Sequence, residues 1–317
     1  MITVLSGGTG GAKFVDGLRR VVLAPELTVI VNTGDDLVWW GLNISPDVDS
    51  IVYVLADLLS KDRGWGVEKD TFHCLESMRR LGEPAWFGVG DRDLATHLLR
   101  TQLLASGRTL TEATADIARR FGIESRILPM TDNKVETRVL TPRGELSFEE
   151  YFVRERHQVP VQTVRFEGVE SAQPTSAVLE AIARADAVVI APSNPITSIG
   201  PILAMGELRR GLCETSAPVI AVSPVVGGAA VSGPAGELMR SQDVSVSALG
   251  VAQYYREFLN VLVIDDRDAA SASGLEQMGI RPLVTNILMK SAEDRVRLAR
   301  TAVECCISIS GVPPAVR

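Results

Sequence analysis

The sequence predicts an α/β fold of the Rossmann-like kind, with a mostly parallel sheet, helices on both of its faces and a small helical insertion. Three observations predict it. Short β-branched runs alternate with helix-period runs, several of the short runs are continuously apolar, and loops rich in Ser, Asn, Asp, Pro or Gly follow them. The chain of 317 residues is 46% hydrophobic and 22% charged, which is the composition of a globular protein with a sizeable core.

The chain opens with a predicted βαβ unit. Residues 2–6 predict the first strand and residues 29–31 the second. Between them, apolar residues recur at i, i+4, i+7 and i+8, which predicts a crossover helix with one apolar stripe. The stripe consists of Phe14, Leu18, Val21 and Val22.

A second helix is predicted to open at residues 45–49. Ser45 is a suitable N-cap, and Pro46 suits the first helical position. The apolar positions of this helix are Val48, Ile51, Val52, Leu55 and Leu59. They recur with helical spacing, so one face of the helix is expected to be buried.

The remainder of the chain divides into a helical stretch and a return to strands. Helical patterns occur at residues 71–81, 92–106 and 111–121, and half-buried strands are expected within 135–167. Further buried strand runs lie at residues 187–191, 219–222 and 261–264. We therefore expect residues 1–60 and 126–317 to form a Rossmann-like nucleotide-binding core, and residues 61–125 to form the small helical insertion.

Charge and targeting signals limit the possible partners. The 32 basic and 39 acidic residues give a net charge of −7, and no basic run is present to bind nucleic acid or an anionic membrane. The N-terminus lacks a signal-peptide pattern, and Pro and Gly interrupt the most apolar later stretch at residues 217–233. We expect a cytoplasmic protein with neither nucleic acid nor a membrane as partner.

The cysteines and histidines do not form a metal or disulfide pattern. The four cysteines have no CxxC spacing, and the three histidines are scattered. This argues against a zinc site or a disulfide framework. Cys305 and Cys306 lie in an apolar terminal helix pattern and are expected to be buried packing thiols.

The first loop is rich in glycine and joins a strand to a helix. Such a loop presents backbone amides and a positive helix end to an anion. Lys13 replaces the third glycine of the dinucleotide fingerprint, and Phe14 stands where the P-loop requires Ser or Thr. We expect anion binding here, the alternative being a tight turn that needs glycine only for its backbone. The candidate residues are Gly7, Gly8, Thr9, Gly10, Gly11 and Lys13.

Four carboxylates gather after the second strand. Asp35 and Asp36 follow that strand and its last polar residue, Asn32, while Asp47 and Asp49 lie at the start of the next helix. Carboxylate oxygens suit Mg²⁺ or Mn²⁺, which proteins bind through one or two carboxylates together with substrate phosphates. The alternative is structural, since Asp35 can form a turn and Asp47 can stabilise a helix start.

Residues 86–100 combine aromatic residues, a glycine turn and a charged helix start. On that helix Asp93, Thr96, His97 and Arg100 share one face, away from the leucines. This polar face is either part of a binding site or a solvated helix surface. Trp86 and Phe87, which precede it, suit a flat heterocyclic substrate and could equally be packing residues.

Two further loops follow predicted strands, at residues 192–201 and 223–228. Proline fixes their shape, and hydroxyls and backbone amides supply donors. Turn formation explains either loop alone, but three donor-rich loops after three strands favour a nucleotide crevice. The candidate residues are Ser193, Asn194, Thr197, Ser198, Ser223, Gly227 and Gly228.

The ordered set of these motifs resembles the 2-phospho-L-lactate transferase (CofD) family, with its actinobacterial phosphoenolpyruvate-transferring relatives. The resemblance spans essentially the whole chain. It rests on SGGTGGAKF, VNTGDD, SPDVDSIVY, RGWG, WFGVGDRDLATHLLR, LPMTDNKVETRV, SNPITSIGPIL and SPVVGG. The resemblance implies an enzyme of coenzyme F-420 biosynthesis. Such an enzyme moves a phospholactyl or phosphoenolpyruvyl group from a guanosine diphosphate-linked donor to the deazaflavin alcohol Fo, releasing GMP and requiring Mg²⁺. A homodimer is also implied.

The resemblance carries roles to the matching positions. The metal is expected among Asp35, Asp36, Asp47 and Asp49, with Asp47 and Asp49 as the catalytic pair. The donor nucleotide is expected on the glycine loop, Asn32 and the two later loops. Acceptor binding is expected from the insertion, at Trp86, Phe87, Gly88, Asp91, Asp93, Thr96 and His97. The terminal hydroxyl of the acceptor would attack the phosphorus in line with the leaving GMP, and a carboxylate such as Asp49 is a candidate for taking its proton.

Two other classes of function stay open. A nucleotide-sugar-binding regulator, similar to the related gluconeogenesis-factor family, would share the glycine loop but not the full acceptor segment. A dinucleotide-dependent oxidoreductase is supported only by the βαβ start. The motifs leave open whether the donor carries a lactyl or an enolpyruvyl group.

Overall fold

Fourteen strands and twelve helices make up residues 1–311, the part of the chain that the computed structural model describes. The strands are β1 (Ile2–Ser6), β2 (Leu27–Val31), β3 (Leu37–Trp39), β4 (Leu42–Ile44), β5 (Arg126–Pro129), β6 (Glu136–Thr141), β7 (Gly144–Ser147), β8 (Thr163–Glu167), β9 (Ala187–Ile190), β10 (Val219–Val222), β11 (Val225–Val226), β12 (Ala229–Ala230), β13 (Val261–Ile264) and β14 (Arg281–Val284). The helices are α1 (Gly8–Leu18), α2 (Pro46–Leu55), α3 (His73–Arg80), α4 (Asp93–Ala105), α5 (Leu110–Arg120), α6 (Ser176–Ala183), α7 (Gly200–Ala204), α8 (Gly206–Glu214), α9 (Ala235–Arg240), α10 (Ala248–Tyr254), α11 (Ala272–Gln277) and α12 (Ala292–Ser310).

Seven strands form one parallel sheet in the order β14-β13-β10-β9-β1-β2-β5. From β1 the chain passes to β2 on one side, and it returns later to β9 on the other. The strand order therefore reverses between β1 and β9. In open α/β sheets such a reversal leaves a crevice beyond the carboxyl ends of the two strands, which is where ligands bind.

The sheet is buried on both faces, because its residues alternate between two apolar cores. Val4 and Val29 contribute to the core that contains α1, α2 and α12. Leu5 and Ile30 point the other way, into the core that contains α6, α8 and α10. Two-sided burial explains why these strands read as continuous apolar runs in the sequence.

Smaller elements surround the carboxyl edge of the sheet. The β3–β4 hairpin lies between Asp36 and α2, and β6, β7 and β8 form a separate antiparallel sheet in the order β7-β6-β8. A short π-helix, Glu150–Arg154, follows β7. The β11–β12 hairpin follows β10.

The predicted fold class is confirmed, and most predicted elements lie within a few residues of their expected positions. The strands at 219–222 and 261–264 are found at those bounds, and β2 begins two residues earlier than expected, at Leu27. The larger difference concerns α1, which begins at Gly8, so most of the predicted glycine loop is the first turn of a helix. The division into a core and an insertion at residues 61–125 stays a prediction.

No helix among the described residues is both long enough and apolar enough to cross a membrane.

Candidate functional site

The turn from β1 into α1 requires glycine at two positions for different reasons. Gly8 has a φ of 65°, a backbone conformation that residues other than glycine rarely adopt. Gly7 is extended, and a Cβ there would lie 2.8 Å from a carboxylate oxygen of Asp47 and 2.9 Å from Cβ of Ser198. The turn is therefore pressed against both α2 and the loop that follows β9.

The next two glycines allow α1 to pack against the loop that follows β9. A Cβ on Gly10 would collide with the carbonyl oxygen of Pro192, and one on Gly11 would collide with Oγ of Ser6. The amide of Gly7 donates to Oγ of Ser193 at 3.4 Å. The glycine-rich motif thus brings the loops of β1 and β9 together at the point where the strand order reverses.

Asn32 joins the second strand to this junction. Its Nδ2 lies 2.9 Å from Oδ2 of Asp35, 3.0 Å from Oδ2 of Asp47 and 3.3 Å from the carbonyl oxygen of Thr197. Its Oδ1 accepts a hydrogen bond from the amide of Gly34 at 2.8 Å. The side chain is completely buried and binds all three segments that meet here.

The positive end of α1 is neutralised by a carboxylate. The amide of Gly8 donates to Oδ1 of Asp47 at 2.7 Å. At the predicted anion site, the start of α1 therefore binds a carboxylate of the protein itself. Phosphate binding at this helix end stays a prediction. Thr9 is exposed and Lys13 is half-buried on α1.

Four carboxylates form what we call the acidic edge, namely Asp35, Asp36, Asp47 and Glu149. Burial raises the pKa of Asp47 to about 6, although the hydrogen bonds from Asn32 and Gly8 act in the opposite direction. Burial, with the charges of Asp47 and Asp36, raises the pKa of Glu149 to about 8. Burial and neighbouring carboxylates also raise the pKa values of Asp35 and Asp36. The acidic edge therefore brings together four carboxyl groups whose ionised forms are destabilised by burial.

The acidic edge fits a hard divalent cation, but only in part. Oδ1 of Asp35 and Oδ1 of Asp36 are buried without a hydrogen-bond partner, which leaves them free to act as ligands. Among the described residues, however, no three His, Cys, Asp or Glu side chains are arranged to hold a metal ion by themselves. Mg²⁺ usually takes only one or two carboxylates and completes its shell with water and substrate phosphate. The residues fit a cation that binds together with a phosphorylated ligand.

Asp49 does not join the other predicted metal ligands. Nη1 of Arg100 donates to its Oδ2 at 3.0 Å, and Nη2 of Arg100 donates to its Oδ1. Nδ1 of His97 also lies 3.5 Å from Oδ2. Metal binding by Asp49 stays a prediction, and the structure engages both of its oxygens in a buried ion pair.

The polar face of α4 points into the protein. The exposed fractions are 7% for Asp93, 5% for Thr96, 2% for His97 and 0% for Arg100, whereas Leu98 is 53% exposed. The solvated helix face considered as an alternative is therefore wrong. Direct contact of Asp93, Thr96 and His97 with the acceptor stays a prediction, and their burial gives a ligand little surface to contact.

Asp91 and Asp70 cap the helices α3 and α4. Asp91 accepts hydrogen bonds from the amides of His73 at 3.0 Å and Cys74 at 2.9 Å, at the start of α3. Asp70 accepts from the amides of Arg92 at 2.8 Å and Asp93 at 3.0 Å, at the start of α4. This role accounts for Asp91 without a ligand.

An aromatic cluster, Trp39, Trp40, Trp86 and Phe87, lies beside β3 and β4. The ring centroids of Trp39 and Trp86 are 4.8 Å apart, and those of Trp39 and Trp40 are 5.5 Å apart. The guanidinium of Arg154 lies 5.8 Å above the ring of Trp86. Trp86 and Phe87 are half-buried, so part of each ring is accessible. Gly88 packs tightly here, since a Cβ on it would lie 2.8 Å from the ring of Trp65.

The loop that follows β9 is shaped by its own polar groups. Oδ1 of Asn194 accepts from the amides of Ile196 at 3.0 Å and Thr197 at 3.5 Å. Oγ1 of Thr197 is buried without a hydrogen-bond partner, and Ser198 faces Gly7 and Gly8. Ser193, Thr197 and Ser198 therefore lie at the predicted crevice, and Asn194 shapes their loop.

The loop that follows β10 is a hairpin whose polar groups are also used internally. Oγ of Ser223 donates to the carbonyl oxygen of Val225 at 2.9 Å. Gly227 and Gly228 form the exposed turn with φ angles of 59° and 77°, and the amide of Gly227 donates to Asp268 at 2.9 Å. Donor binding by this loop stays a prediction.

A cleft of about 210 Å³ lies next to the acidic edge. It runs between the turn at residues 34–38 and the β6–β7 sheet, and Asp35, Asp36 and Glu149 line it. A larger surface groove of about 370 Å³ runs along α12, where Arg20, Arg297 and Arg300 are among its lining residues. That groove contains none of the predicted site residues, so we place the candidate site at the smaller cleft.

Sequence reasoning missed Glu149 and the first two members of the aromatic cluster. Trp39 and Trp40 follow the VNTGDD motif closely, so adjacent tryptophans after an acidic turn were a usable signal. Glu149 carries no such signal. It lies more than 100 residues from Asp47 in the sequence, and only the packing of the small sheet brings the two together.

Comparisons with known proteins agree across the whole chain. The family model described as 2-phospho-L-lactate transferase CofD matches residues 2–298. A 2-phospho-L-lactate transferase of Methanosarcina acetivorans is 45% identical over 300 residues, covering 95% of this chain and 97% of the relative. That of Methanocaldococcus jannaschii is 42% identical, covering 98% and 99%. A phosphoenolpyruvate transferase of Streptomyces griseus is 40% identical, covering 96% and 97%.

Solved structures confirm the fold. A crystal structure of a UPF0052 family protein from Bacillus halodurans matches with a TM-score of 0.63 at 14% identity. The match covers 94% of this chain and 97% of that one. At this identity the match shows a common architecture.

Proposed function

The chain belongs to the 2-phospho-L-lactate transferase CofD family, and from this we propose that it transfers a phospholactyl or phosphoenolpyruvyl group from a guanosine diphosphate-linked donor to the deazaflavin Fo. The products are GMP and a coenzyme F-420 precursor. The relatives named above include a 2-phospho-L-lactate transferase and a phosphoenolpyruvate transferase, so the proposal covers both transferred groups.

The observation that best supports the proposal is the position of the acidic edge. It lies where the strand order reverses between β1 and β9, next to the start of α1 and to the donor-rich loop of β9. A diphosphate bound there would meet backbone amides, hydroxyl groups and carboxylates within one crevice.

The chemistry requires positioning and neutralisation of charge. The terminal hydroxyl oxygen of the acceptor forms a bond to the phosphorus that carries the lactyl or enolpyruvyl group, and the bond from that phosphorus to the oxygen of GMP breaks. No covalent enzyme intermediate is needed. Bound Mg²⁺ would neutralise phosphate charge, with Asp35 and Asp36 as the carboxylates that have an oxygen free to hold it.

The proton of the attacking hydroxyl needs an acceptor that can release it again. Both oxygens of Asp49 accept hydrogen bonds from Arg100, so a proton transferred to Asp49 would break its buried ion pair. Asp47 has a pKa raised to about 6 and faces the crevice beside Gly8. We therefore favour Asp47 over Asp49 as the proton acceptor.

The aromatic cluster supplies a surface for the acceptor. A deazaflavin is flat and conjugated, so it stacks on aromatic rings such as those of Trp86 and Phe87. The cluster adjoins β3 and β4, which connect the acidic edge to α2. An acceptor stacked there can direct its side chain towards the acidic edge.

The test is mass spectrometry of products formed from Fo with each guanylated donor, with and without Mg²⁺. The proposal predicts GMP together with a product one phospholactyl or phosphoenolpyruvyl group heavier than Fo, formed only with Mg²⁺. Absence of product with both donors at saturating Mg²⁺ would rule the proposal out.

A further inference from the structure

Arg100 is buried completely, and no step of the proposed transfer uses it. Its exposed fraction is 0%, and both terminal nitrogens donate to Asp49. Its Nη1 also lies 3.4 Å from the carbonyl oxygen of Asn43. A buried ion pair is a weak source of stability, because apolar side chains of similar volume are often equally stable in its place. The pair therefore points to a role in fixing geometry.

The contacts around Arg100 attach α4 to β4 and α2 at several levels. Oγ1 of Thr101 accepts from the amide of Asn43 at 2.7 Å. The hydroxyl of Tyr53 donates to Oδ1 of Asp93 at 2.6 Å, about one turn beyond Asp49 on α2 and about two turns before Arg100 on α4. Residues 43–53 are thus held by one face of α4.

The segment that α4 holds also carries part of the acidic edge. Asp47 lies two residues before Asp49, in the first turn of α2. Oγ of Ser45 donates to Oδ2 of Asp36 at 2.6 Å. A shift of residues 43–46 would therefore release Asp36. It would also change the distance between the aromatic cluster and Asp47, because Gly8 and Asn32 hold the Asp47 carboxylate from the other side.

The same helix leads back to the aromatic cluster. Trp86 and Phe87 precede α4 by a few residues, and Leu94 of α4 packs against the cluster. We infer that Arg100 is a positioning residue that, through Asp49, sets the placement of the aromatic cluster relative to Asp47. This inference rests on the proposed function, because that function needs an acceptor on the cluster and a donor at Asp47.

The test uses the full chain with Arg100→Lys, Arg100→Met and the control Arg119→Met. Arg119 forms an ion pair with Asp116 on the neighbouring helix α5, but its side chain is 73% exposed. For each variant, GMP release gives kcat and the KM of both substrates, circular dichroism gives the folded fraction, and hydrogen exchange follows the amides of residues 43–49.

A positioning role predicts a graded loss of turnover in folded protein. Displacement of groups around a reaction centre can cost about 10²-fold in rate, which we expect for Arg100→Met. Arg100→Lys should fall between it and wild type, since lysine keeps the charge but cannot bind both oxygens of Asp49. The KM of the donor should stay unchanged, because Gly8 and Asn32 still hold Asp47. The amides of residues 43–49 should exchange faster in both Arg100 variants than in wild type. Their exchange rates in Arg119→Met should equal those of wild type.

Wild-type kcat in either folded Arg100 variant would overturn the inference, as would a loss of activity that only follows the loss of folded protein. If Arg100→Met does not fold, the kcat and the hydrogen exchange of Arg100→Lys test the inference alone. If the wild-type chain releases no GMP with Fo, the proposed function fails. In that case unchanged exchange at residues 43–49 in Arg100→Lys would overturn the positioning role, and faster exchange confined to that segment would support it.

Discussion

Asp47 and Asp49 are separated by one residue in the first turn of α2, yet they have opposite environments. Asp47 faces Gly8 and Asn32 beside three other carboxylates. Asp49 faces Arg100 in an ion pair closed to solvent. From the sequence alone the two were equivalent members of one acidic motif. Their difference follows from the partners that the fold supplies.

Asp47→Asn and Asp49→Asn should therefore fail in different ways. Asp47→Asn keeps the shape of the side chain and relieves repulsion, so the fold should be retained while turnover falls by roughly 10²-fold or more. Asp49→Asn leaves Arg100 buried without its counter-charge, which should cost about 3–5 kcal/mol in the free energy of unfolding. Urea unfolding and GMP release measure the two effects.

Equal stability of the two variants would contradict the assignment of Asp49 to a buried ion pair. Wild-type turnover of Asp47→Asn at saturating donor and Mg²⁺ would remove Asp47 from the mechanism.

Glu149 should make the stability of the metal-free protein depend on pH. Burial beside Asp47 and Asp36 raises its pKa from 4.5 to about 8. Between those values the folded state binds more protons than the unfolded state, so the free energy of unfolding falls as pH rises. In EDTA, Glu149→Gln should raise Tm at pH 8 by a few °C and leave it nearly unchanged at pH 5, where Glu149 is mostly protonated.

The exposed Glu83 provides the matched control, Glu83→Gln. An equal rise in Tm for both variants at pH 8 would mean that general charge reduction is responsible. No rise for Glu149→Gln would show that the Glu149 carboxyl is not destabilised by its surroundings.

At the scale of elements, the β1–α1 junction determines where the site lies. Gly10 of α1 touches the carbonyl oxygen of Pro192 in the loop that follows β9, and no larger residue fits. The close approach brings the two loops of the crevice into contact. The glycine motif thus serves packing at least as much as it serves the exposure of amides to an anion.

Gly10→Ala should push α1 away from the loop that follows β9. Overpacking of this kind costs about 1–3 kcal/mol, and the displaced loop should also weaken donor binding. Gly206→Ala is the control, because Gly206 begins α8 with no atom within 4 Å of its Cβ position. The free energy of unfolding of Gly206→Ala should equal that of wild type or be slightly higher. Thermal unfolding and calorimetry with GDP and Mg²⁺ measure both effects, and equal behaviour of the two variants would contradict the packing role.

Elements with a local signature were predictable, and those made by long-range packing were not. The parallel strands, α2 with its Ser45-Pro46 start, and α4 could be read from apolar periodicity and helix-start residues. Burial of the polar face of α4 could not, because its polar residues have the spacing of a solvated surface. Their burial depends on Asp49 and Tyr53, which lie on another helix.

For the whole molecule, the main electrostatic problem is that an acidic protein must bind an anionic donor. The chain carries a net charge of −7 and places four carboxylates at the crevice. Long-range attraction therefore does not favour binding of a guanosine diphosphate. Binding needs a divalent cation shared between the carboxylates and the phosphates, together with local donors from the loops after β1 and β9.

The most direct test of this account is a crystal structure of the protein with GDP and Mn²⁺, whose anomalous signal locates the metal. The account predicts the metal in contact with Asp35 or Asp36 and with a phosphate oxygen, and the diphosphate between the start of α1 and residues 193–198. A nucleotide bound elsewhere, with the metal away from the acidic edge, would contradict it.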